Sequence, residues 1–267
     1  MNVKFCPIAS GSDGNSIYIG TEETHILIDA GISGKRIEAG LNNALNISGK
    51  CLDALFITHE HSDHIQGAGV ISRRFDIPVY ATEKTWSEMD KCPSLGKIAS
   101  HNRRYVYEEE HCIINDMVIK PFEIPHDAVQ PVGYCVYAGD RKISVATDIG
   151  HVTDIIKESI KDSDILLLES NHDIEMLKNG KYPYYLKQRI LGQKGHLSNA
   201  AAGGLLSEIF TDRLKHVFLG HLSKENNRPL IAFDTVSTIL NANNICPGKS
   251  LKLFLAQRGT ESEAVII

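Results

Sequence analysis

Apolar and polar positions alternate over the first 30 residues in a way that predicts three short strands. These are residues 3–8, the segment NSIYIG and the segment HILIDAG. Gly, Ser and Asp residues of SGSDGN separate the first two, and the polar stretch TEET separates the next two, as expected for tight turns. Short turns join neighbouring antiparallel strands, so we expect an antiparallel meander.

Beyond residue 30 the apolar period switches between that of helices and that of strands. The predicted helices are residues 33–41, 64–74, 83–90, 151–161, 182–191, 199–210 and 230–242. The predicted strands are residues 53–57, 78–81, 104–107, 111–114, 117–124, 132–138 and 142–146, with DILLLES, HVFLG and LKLFLA. This mixture predicts a layered α/β (α+β) fold in which helices cover the outer faces of two sheets. With 267 residues, 42% of them hydrophobic, we expect one domain with a full-sized core.

Charge and cysteine usage narrow the classes of protein to consider. The net charge of -5 argues against a chain wrapped in nucleic acid over its whole surface, although it allows a local basic patch. Six cysteines occur without a C-x-x-C pair, which suits a reducing compartment. No segment approaches the roughly 18 apolar residues of a membrane span, and Met1 leads directly into a strand-like segment rather than a signal peptide. We therefore expect a cytoplasmic location, no membrane attachment and no obligate protein partner.

The segment THEHSDH, residues 58–64, follows the apolar run 52–57 and carries the strongest chemical signal. Histidine and aspartate are costly to bury without partners, and a metal ion would provide them. Imidazole and carboxylate ligands at this spacing suit two adjacent divalent ions. Ser62 is predicted to cap a helix that begins at Asp63. Four ligands are too few for two ions.

Three further candidate ligands each follow an apolar run, at the end of a predicted strand: His126, Asp148 and His221. The predicted assignment places His59, His61 and His126 on one ion, Asp63, His64 and His221 on the other, and Asp148 as the bridge. The ligand set accepts Zn or Mn, with Fe as a further option.

Two neighbouring ions lower the pKa of a bridging water, so the predicted nucleophile is a metal-bridging hydroxide. In this hypothesis Asp63 and Asp148 are catalytic residues because they bind the ions. His196 is either a proton donor to the leaving oxygen or a structural residue at the start of a helix. Asp29, which ends HILIDAG, is predicted to orient a ligand histidine through its second ring nitrogen.

Candidate substrate contacts surround these ligands. Between Lys178 and Lys194 five cations are interleaved with three tyrosines, a pattern that fits either a solvated face or a surface for a nucleic-acid strand. The candidate substrate-binding residues are Asn171, His172, Tyr182, Lys187, Arg189, Ser198 and Lys224. Ser198 is also a plausible helix cap, and Asn171 a plausible loop brace.

The segment THEHSDH, followed in order by His126, Asp148 and His221, resembles the metal motifs of the metallo-β-lactamase fold superfamily. Within it, SGSDGNSIYI, LLLESNHD, GHLSN and HLSKENN resemble the YycJ/WalJ group of bacterial proteins. This resemblance implies a four-layer αββα sandwich with a dinuclear site at one edge. It also implies 5'-to-3' exonuclease activity on DNA, and a single domain over residues 1–267 without the β-CASP insertion of larger nucleases.

Metal ligands predict hydrolysis better than they predict a substrate. A thioester or lactone hydrolase of the same fold would need a closed apolar pocket in place of an open basic groove. A non-catalytic nucleic-acid-binding module that retains its metals is the third hypothesis, and the complete ligand set argues against it.

Overall fold

The computed structural model describes residues 1–267 and contains two seven-stranded sheets. The first sheet comprises β1 (Lys4–Ala9), β2 (Ser16–Gly20), β3 (His25–Ile28), β4 (Ala54–Phe56), β5 (Val79–Ala81), β6 (Arg103–Tyr105) and β14 (Val265–Ile266). Their order across the sheet is β14-β1-β2-β3-β4-β5-β6. Strands β1, β2 and β3 pair antiparallel, which confirms the predicted meander. Strands β3 to β6 pair in parallel.

The second sheet mirrors this mixed arrangement. It comprises β7 (Cys112–Ile114), β8 (Met117–Glu123), β9 (Val132–Ala138), β10 (Arg141–Ala146), β11 (Ile165–Glu169), β12 (His216–Gly220) and β13 (Lys252–Leu255). The order is β13-β12-β11-β10-β9-β8-β7. Strands β7 to β10 are antiparallel, and β10 to β13 are parallel. Each sheet therefore has one parallel half whose strands all end at the same edge.

Nine α-helices lie around the sheets. They are α1 (Gly34–Leu45), α2 (Ser62–Ile65), α3 (Ala68–Phe75), α4 (Glu83–Met89), α5 (Asp154–Ile160), α6 (Ile174–Asn179), α7 (Tyr184–Leu191), α8 (Asn199–Ile209) and α9 (Pro229–Ala242). Helices α1, α3 and α4 pack on the first sheet, and α5, α8 and α9 pack on the second. No helix is long and apolar enough to span a bilayer.

Three apolar cores of similar size account for the layers. The core between the first sheet and its helices contains 23 buried residues. The core between the two sheets contains 22, and the core between the second sheet and its helices contains 21. On β3, Ile26 and Ile28 join the central core, whereas Leu27 joins the helix-covered one, because successive side chains of a strand point to opposite faces. The predicted α/β sandwich with outer helices is confirmed.

Several local expectations differ from the structure. The helix predicted over residues 64–74 is two helices, α2 and α3, because the N–H of Gly67 donates to the carbonyl of Ala30 at 2.6 Å. A Cβ at Gly67 would lie 2.2 Å from the carbonyl oxygen of Ile32, so this break needs glycine. The prediction that Ser62 caps a helix is wrong, since His61 occupies the N-cap position. The sequence pattern also missed α6 and β14.

Candidate metal centre and active site

The site lies where the parallel strands of both sheets end. Asp29 and His221 each follow the last residue of a strand, and Asp148 lies two residues beyond the end of β10. Each of the three has a positive φ, of 62°, 54° and 62° respectively. Residues other than glycine adopt this conformation rarely, and it is typical of functional sites where the surrounding structure imposes it. These backbone turns bring side chains of the two sheets to one common edge.

The seven predicted ligands gather at this edge. His59, His61 and His126 place their donor atoms within 4.8 Å of one another, and so do Asp63, His64 and His221. These triplets match the two predicted sets, but the donor atoms of His59, His64 and Asp148 also lie within 4.8 Å of one another, so the division of ligands between two ions stays a prediction.

Asp148 lies between the two groups. Its Oδ2 is 3.3 Å from Nε2 of His64, and its Oδ1 is 3.6 Å from Nε2 of His126 and 3.6 Å from Nε2 of His221. The carboxylate therefore faces donors of both sets, as a bridging ligand would.

Hydrogen bonds on the far side of three imidazoles fix which nitrogen faces the centre. Nδ1 of His64 is 2.7 Å from Oδ2 of Asp29, Nδ1 of His126 is 3.1 Å from the carbonyl oxygen of Gly195, and Nδ1 of His221 is 3.0 Å from Oε1 of Glu169. Each Nδ1 donates to an oxygen, so each Nε2 is the nitrogen directed to the centre, where it can bind a cation once it is deprotonated. The contact predicted for Asp29 is present.

The donor set fits divalent cations. Nε2 of His126 and Oδ2 of Asp148 are buried without a hydrogen-bond partner, and a buried polar atom without a partner is costly. A cation between the imidazoles and carboxylates would satisfy both atoms with the nitrogen and oxygen ligands that Zn and Mn accept. The cluster therefore supports divalent metal binding.

Charge within the cluster favours ionised carboxylates. Burial would raise the pKa of Asp148, but His221, His64 and His126 outweigh it and hold that pKa below its usual range. Burial likewise lowers the pKa of His221, yet Asp148, Asp63 and Glu169 together raise it to about 10. Without a cation this imidazole carries a proton, so metal binding must displace it.

Glu169 is a functional candidate that the sequence interpretation did not assign. Its side chain is fully buried at the end of β11, and it accepts hydrogen bonds from the N–H groups of Ile149 and Leu197 at 2.7 and 3.1 Å. The same carboxylate lies 2.7 Å from Nδ1 of His196. Burial would raise its pKa, but His196 and His221 hold that pKa well below the usual range. Its position at the end of an apolar strand is the signal that could have identified it.

His196 lies beside the predicted ligands, with one-fifth of its side chain exposed and Nδ1 at 3.6 Å from Oδ1 of Asp148. Burial lowers the pKa of His196, but the charge and hydrogen bond of Glu169 outweigh it and raise the pKa above its usual value. Glu169 therefore stabilises the protonated form of this ring.

Three of the candidate substrate contacts are buried. The amide Nδ2 of Asn171 donates to the carbonyl of His221 at 2.9 Å, and Oγ of Ser198 caps α8 by accepting from the N–H of Ala201 at 3.2 Å. His172 is buried as well. These contacts brace the loops behind the site.

The other candidates lie on the surface, and Arg189 is connected to the centre by a contact with Asp127. Nε of Arg189 donates to Oδ2 of Asp127 at 2.5 Å, and Oδ1 of Asp127 is 3.2 Å from Nε2 of His126. Lys187 is half-buried and donates to the carbonyl of Lys178 at 2.7 Å. Tyr182 is half-buried, and Lys224 is exposed. Asp127 was not identified from the sequence, although it adjoins a predicted ligand.

Comparisons with known proteins agree with this geometry. Residues 9–189 match the model of the metallo-beta-lactamase superfamily. The chain is 39% identical to exodeoxyribonuclease YycJ of Bacillus anthracis, over 95% of both chains. It is also 39% identical to exodeoxyribonuclease WalJ of Streptococcus pneumoniae serotype 2 (strain D39 / NCTC 7466), over 94% of this chain and 93% of that protein. The crystal structure of the metallo-beta-lactamase fold protein YhfI from Bacillus subtilis superposes with a TM-score of 0.69 at 14% identity, covering 98% of this chain and 99% of that one.

Proposed function

The chain belongs to the metallo-β-lactamase superfamily, and from this premise we propose that it is a metal-dependent exodeoxyribonuclease that degrades DNA from 5' to 3'. The substrate class rests on the 39% identity, over almost the whole chain, to two exodeoxyribonucleases. The observation that carries the chemistry is the position of His196, whose Nδ1 lies 2.7 Å from the buried carboxylate of Glu169 and 3.6 Å from Oδ1 of Asp148, beside the cluster of metal donors.

We propose two metal positions. His59, His61 and His126 would hold one ion, Asp63, His64 and His221 the other, and Asp148 would contact both. When bound, divalent ions activate water as a nucleophile and neutralise charge on a phosphoryl group. The choice among Zn, Mn and Fe follows availability as much as ligand type.

His196 is the proposed general acid. Nδ1 donates to Glu169, so Nε2 carries the second proton of the imidazolium. That proton passes to the departing 3' oxygen as its bond to phosphorus breaks, which avoids the release of an alkoxide. Glu169 orients the ring and stabilises its positive charge.

The DNA strand would run along α7. The guanidinium of Arg189 lies next to the centre because it donates to Asp127. Tyr184 and Tyr185 on the same helix are 77% and 73% exposed. Cations bind phosphates while aromatic rings stack on bases, a combination suited to a single strand. Tyr182, Lys187 and Lys224 would extend this surface.

Three further proposals complete the description. We treat residues 1–267 as one domain without an inserted β-CASP domain, since β14 returns the chain terminus to the first sheet. We place the protein in the cytoplasm because all six cysteines are free. Asn171, His172 and Ser198 would act on the substrate through the loops they brace.

The experiment incubates metal-replete protein with single-stranded DNA labelled at its 5' or its 3' end, and in parallel with a chromogenic thioester. We expect mononucleotides to be released from the 5' end, with Asp148→Ala as the inactive control. Thioester turnover with DNA left intact would establish the small-molecule hydrolase instead. DNA binding without turnover of any substrate would establish the non-catalytic module.

A further inference from the structure

A cavity of 590 Å³ opens beside Asp63, on the side of the centre that belongs to the first sheet. Its walls come from the SGSDGN loop, from the first turn of α1, and from α2 and α3. The volume lies within the range of roughly 300 to 1,000 Å³ that small-molecule sites occupy. It is large enough for one nucleotide and too small for a duplex.

The residues that line the cavity include both apolar and polar side chains. Ile65, Val70 and Leu95 are apolar, which suits the flat face of a base. Ser12 and Gln66 supply polar groups. A nucleotide combines these requirements, because its base is largely apolar on its faces whereas its sugar and phosphate need hydrogen bonds.

The first turn of α1 provides the positive end of the cavity. Lys35 lines it, is exposed, and takes part in none of the ion pairs of the structure. The N–H groups of Gly34 and Lys35 belong to the first turn of a 12-residue helix and have no backbone acceptor within it. Free N–H groups, the helix dipole and a lysine together favour a phosphate. Asp13 and Asp63 also line the cavity, so an anion would settle at the Lys35 end.

The SGSDGN loop, which contributes Ser12 and Asp13 to the cavity lining, is held against the metal donors. The side chain of Asn15 contacts the carbonyl oxygen of Gly11 at 3.2 Å, that of Asp63 at 3.3 Å, and Nε2 of His64 at 3.2 Å. A Cβ at Gly31 would lie 1.6 Å from the carbonyl oxygen of Asp63, so the two segments pack without space for a side chain. The SGSDGN loop therefore holds its position relative to the centre before any ligand arrives, which reduces the entropic cost of binding.

We propose that this cavity binds the terminal nucleotide of the DNA strand and that Lys35 recognises its 5'-phosphate. The strand then extends from the cavity across the metal donors to α7, so only the bond after the first nucleotide reaches the centre. The inference rests on the proposed nuclease function and adds to it the residue that recognises the strand end. It explains an exonucleolytic outcome without a separate domain that blocks the groove.

The experiment compares one single-stranded oligonucleotide in its 5'-phosphorylated and 5'-hydroxyl forms. We expect the wild type to prefer the phosphorylated form in kcat/KM by about tenfold, the order of one charge-assisted hydrogen bond. Lys35→Gln should reduce this preference to near unity. Lys84→Gln is the matched control, since Lys84 is exposed on α4 and lies outside the cavity, and it should retain the preference.

A second variant tests the space itself. Val70→Trp places a large ring in the cavity and should lower kcat/KM for both oligonucleotides relative to that for bis(p-nitrophenyl) phosphate, a diester with no terminal nucleotide. The role of Lys35 is overturned if the wild type shows no preference for the 5'-phosphorylated oligonucleotide. It is also overturned if the Lys35→Gln variant keeps that preference. An unchanged ratio in Val70→Trp overturns the cavity. If metal-replete wild type hydrolyses neither DNA nor the diester, the nuclease proposal fails first, and the terminal-nucleotide site fails with it.

Discussion

Oε1 of Glu169 accepts hydrogen bonds from two imidazoles, Nδ1 of His196 at 2.7 Å and Nδ1 of His221 at 3.0 Å. One buried carboxylate thus orients both the proposed proton donor and a proposed metal ligand. Two backbone N–H groups complete its hydrogen bonds, so the carboxylate stays ionised without solvent. Movement of either ring would disturb the other.

The first prediction concerns the proton that His196 delivers. His196→Asn should lower kcat on DNA by about 10² to 10⁴, the usual contribution of a positioned general acid. The loss should be much smaller for bis(p-nitrophenyl) phosphate, because p-nitrophenolate leaves without protonation. Steady-state kinetics on both substrates measure this difference. Equal losses on the two substrates would show that His196 binds the phosphate and does not donate the proton.

The second prediction concerns Asp29, which holds His64 from behind. Oδ2 of Asp29 is 2.7 Å from Nδ1 of His64, and its Oδ1 accepts from the N–H of Thr58 at 2.9 Å. Asp29→Asn should weaken metal affinity by about 10- to 100-fold, as expected when a carboxylate behind a ligand histidine is neutralised. Competition with a chromogenic chelator measures the affinity. Asp53→Asn is the control, since Asp53 accepts from the N–H of His25 away from the centre, and it should bind metal as the wild type does.

The third prediction concerns the DNA path along α7. If Lys187 and Arg189 each contact a phosphate, replacing either with glutamine should reduce the slope of log K against log salt by about 0.7, the value for one phosphate of a single strand. Fluorescence anisotropy with labelled single-stranded DNA over a salt series gives that slope. A slope that remains at the wild-type value in both variants would place the strand elsewhere.

The sequence predicted the candidate metal ligands better than the carboxylates that contact them, Glu169 and Asp127. His126, Asp148 and His221 were identifiable because each is a residue type that binds metals and lies within three residues of the end of a strand. The fold brings those strand ends to one edge. Glu169 is the last residue of β11; this strand-end position was the available signal, and no spacing motif accompanies it. Asp127 could not be identified because its contact with Arg189 joins residues 62 positions apart in the sequence. The break between α2 and α3 was missed because it depends on the close approach of Ile32 to Gly67, a tertiary contact that no periodicity records.

The last prediction follows from His172, whose two ring nitrogens are buried without a hydrogen-bond partner. Burial lowers its pKa to about 4 from the ordinary 6.5. Above the ordinary value both folded and unfolded chains hold this ring neutral, so it adds no pH dependence there. As the pH falls from about 6.5 towards 4, the unfolded chain takes up a proton that the folded chain excludes, and folding loses about 3 kcal/mol.

His172→Gln should therefore flatten the fall of unfolding free energy between pH 6.5 and pH 4 relative to the wild type, whatever its effect at neutral pH. Urea titrations in one metal-containing buffer series measure this, because the pH dependence of metal binding is then common to both proteins. His111→Gln, at an exposed position, is the control and should follow the wild-type profile. Parallel profiles for the wild type and His172→Gln would mean that the buried ring finds a partner when protonated, and the burial argument would then be wrong.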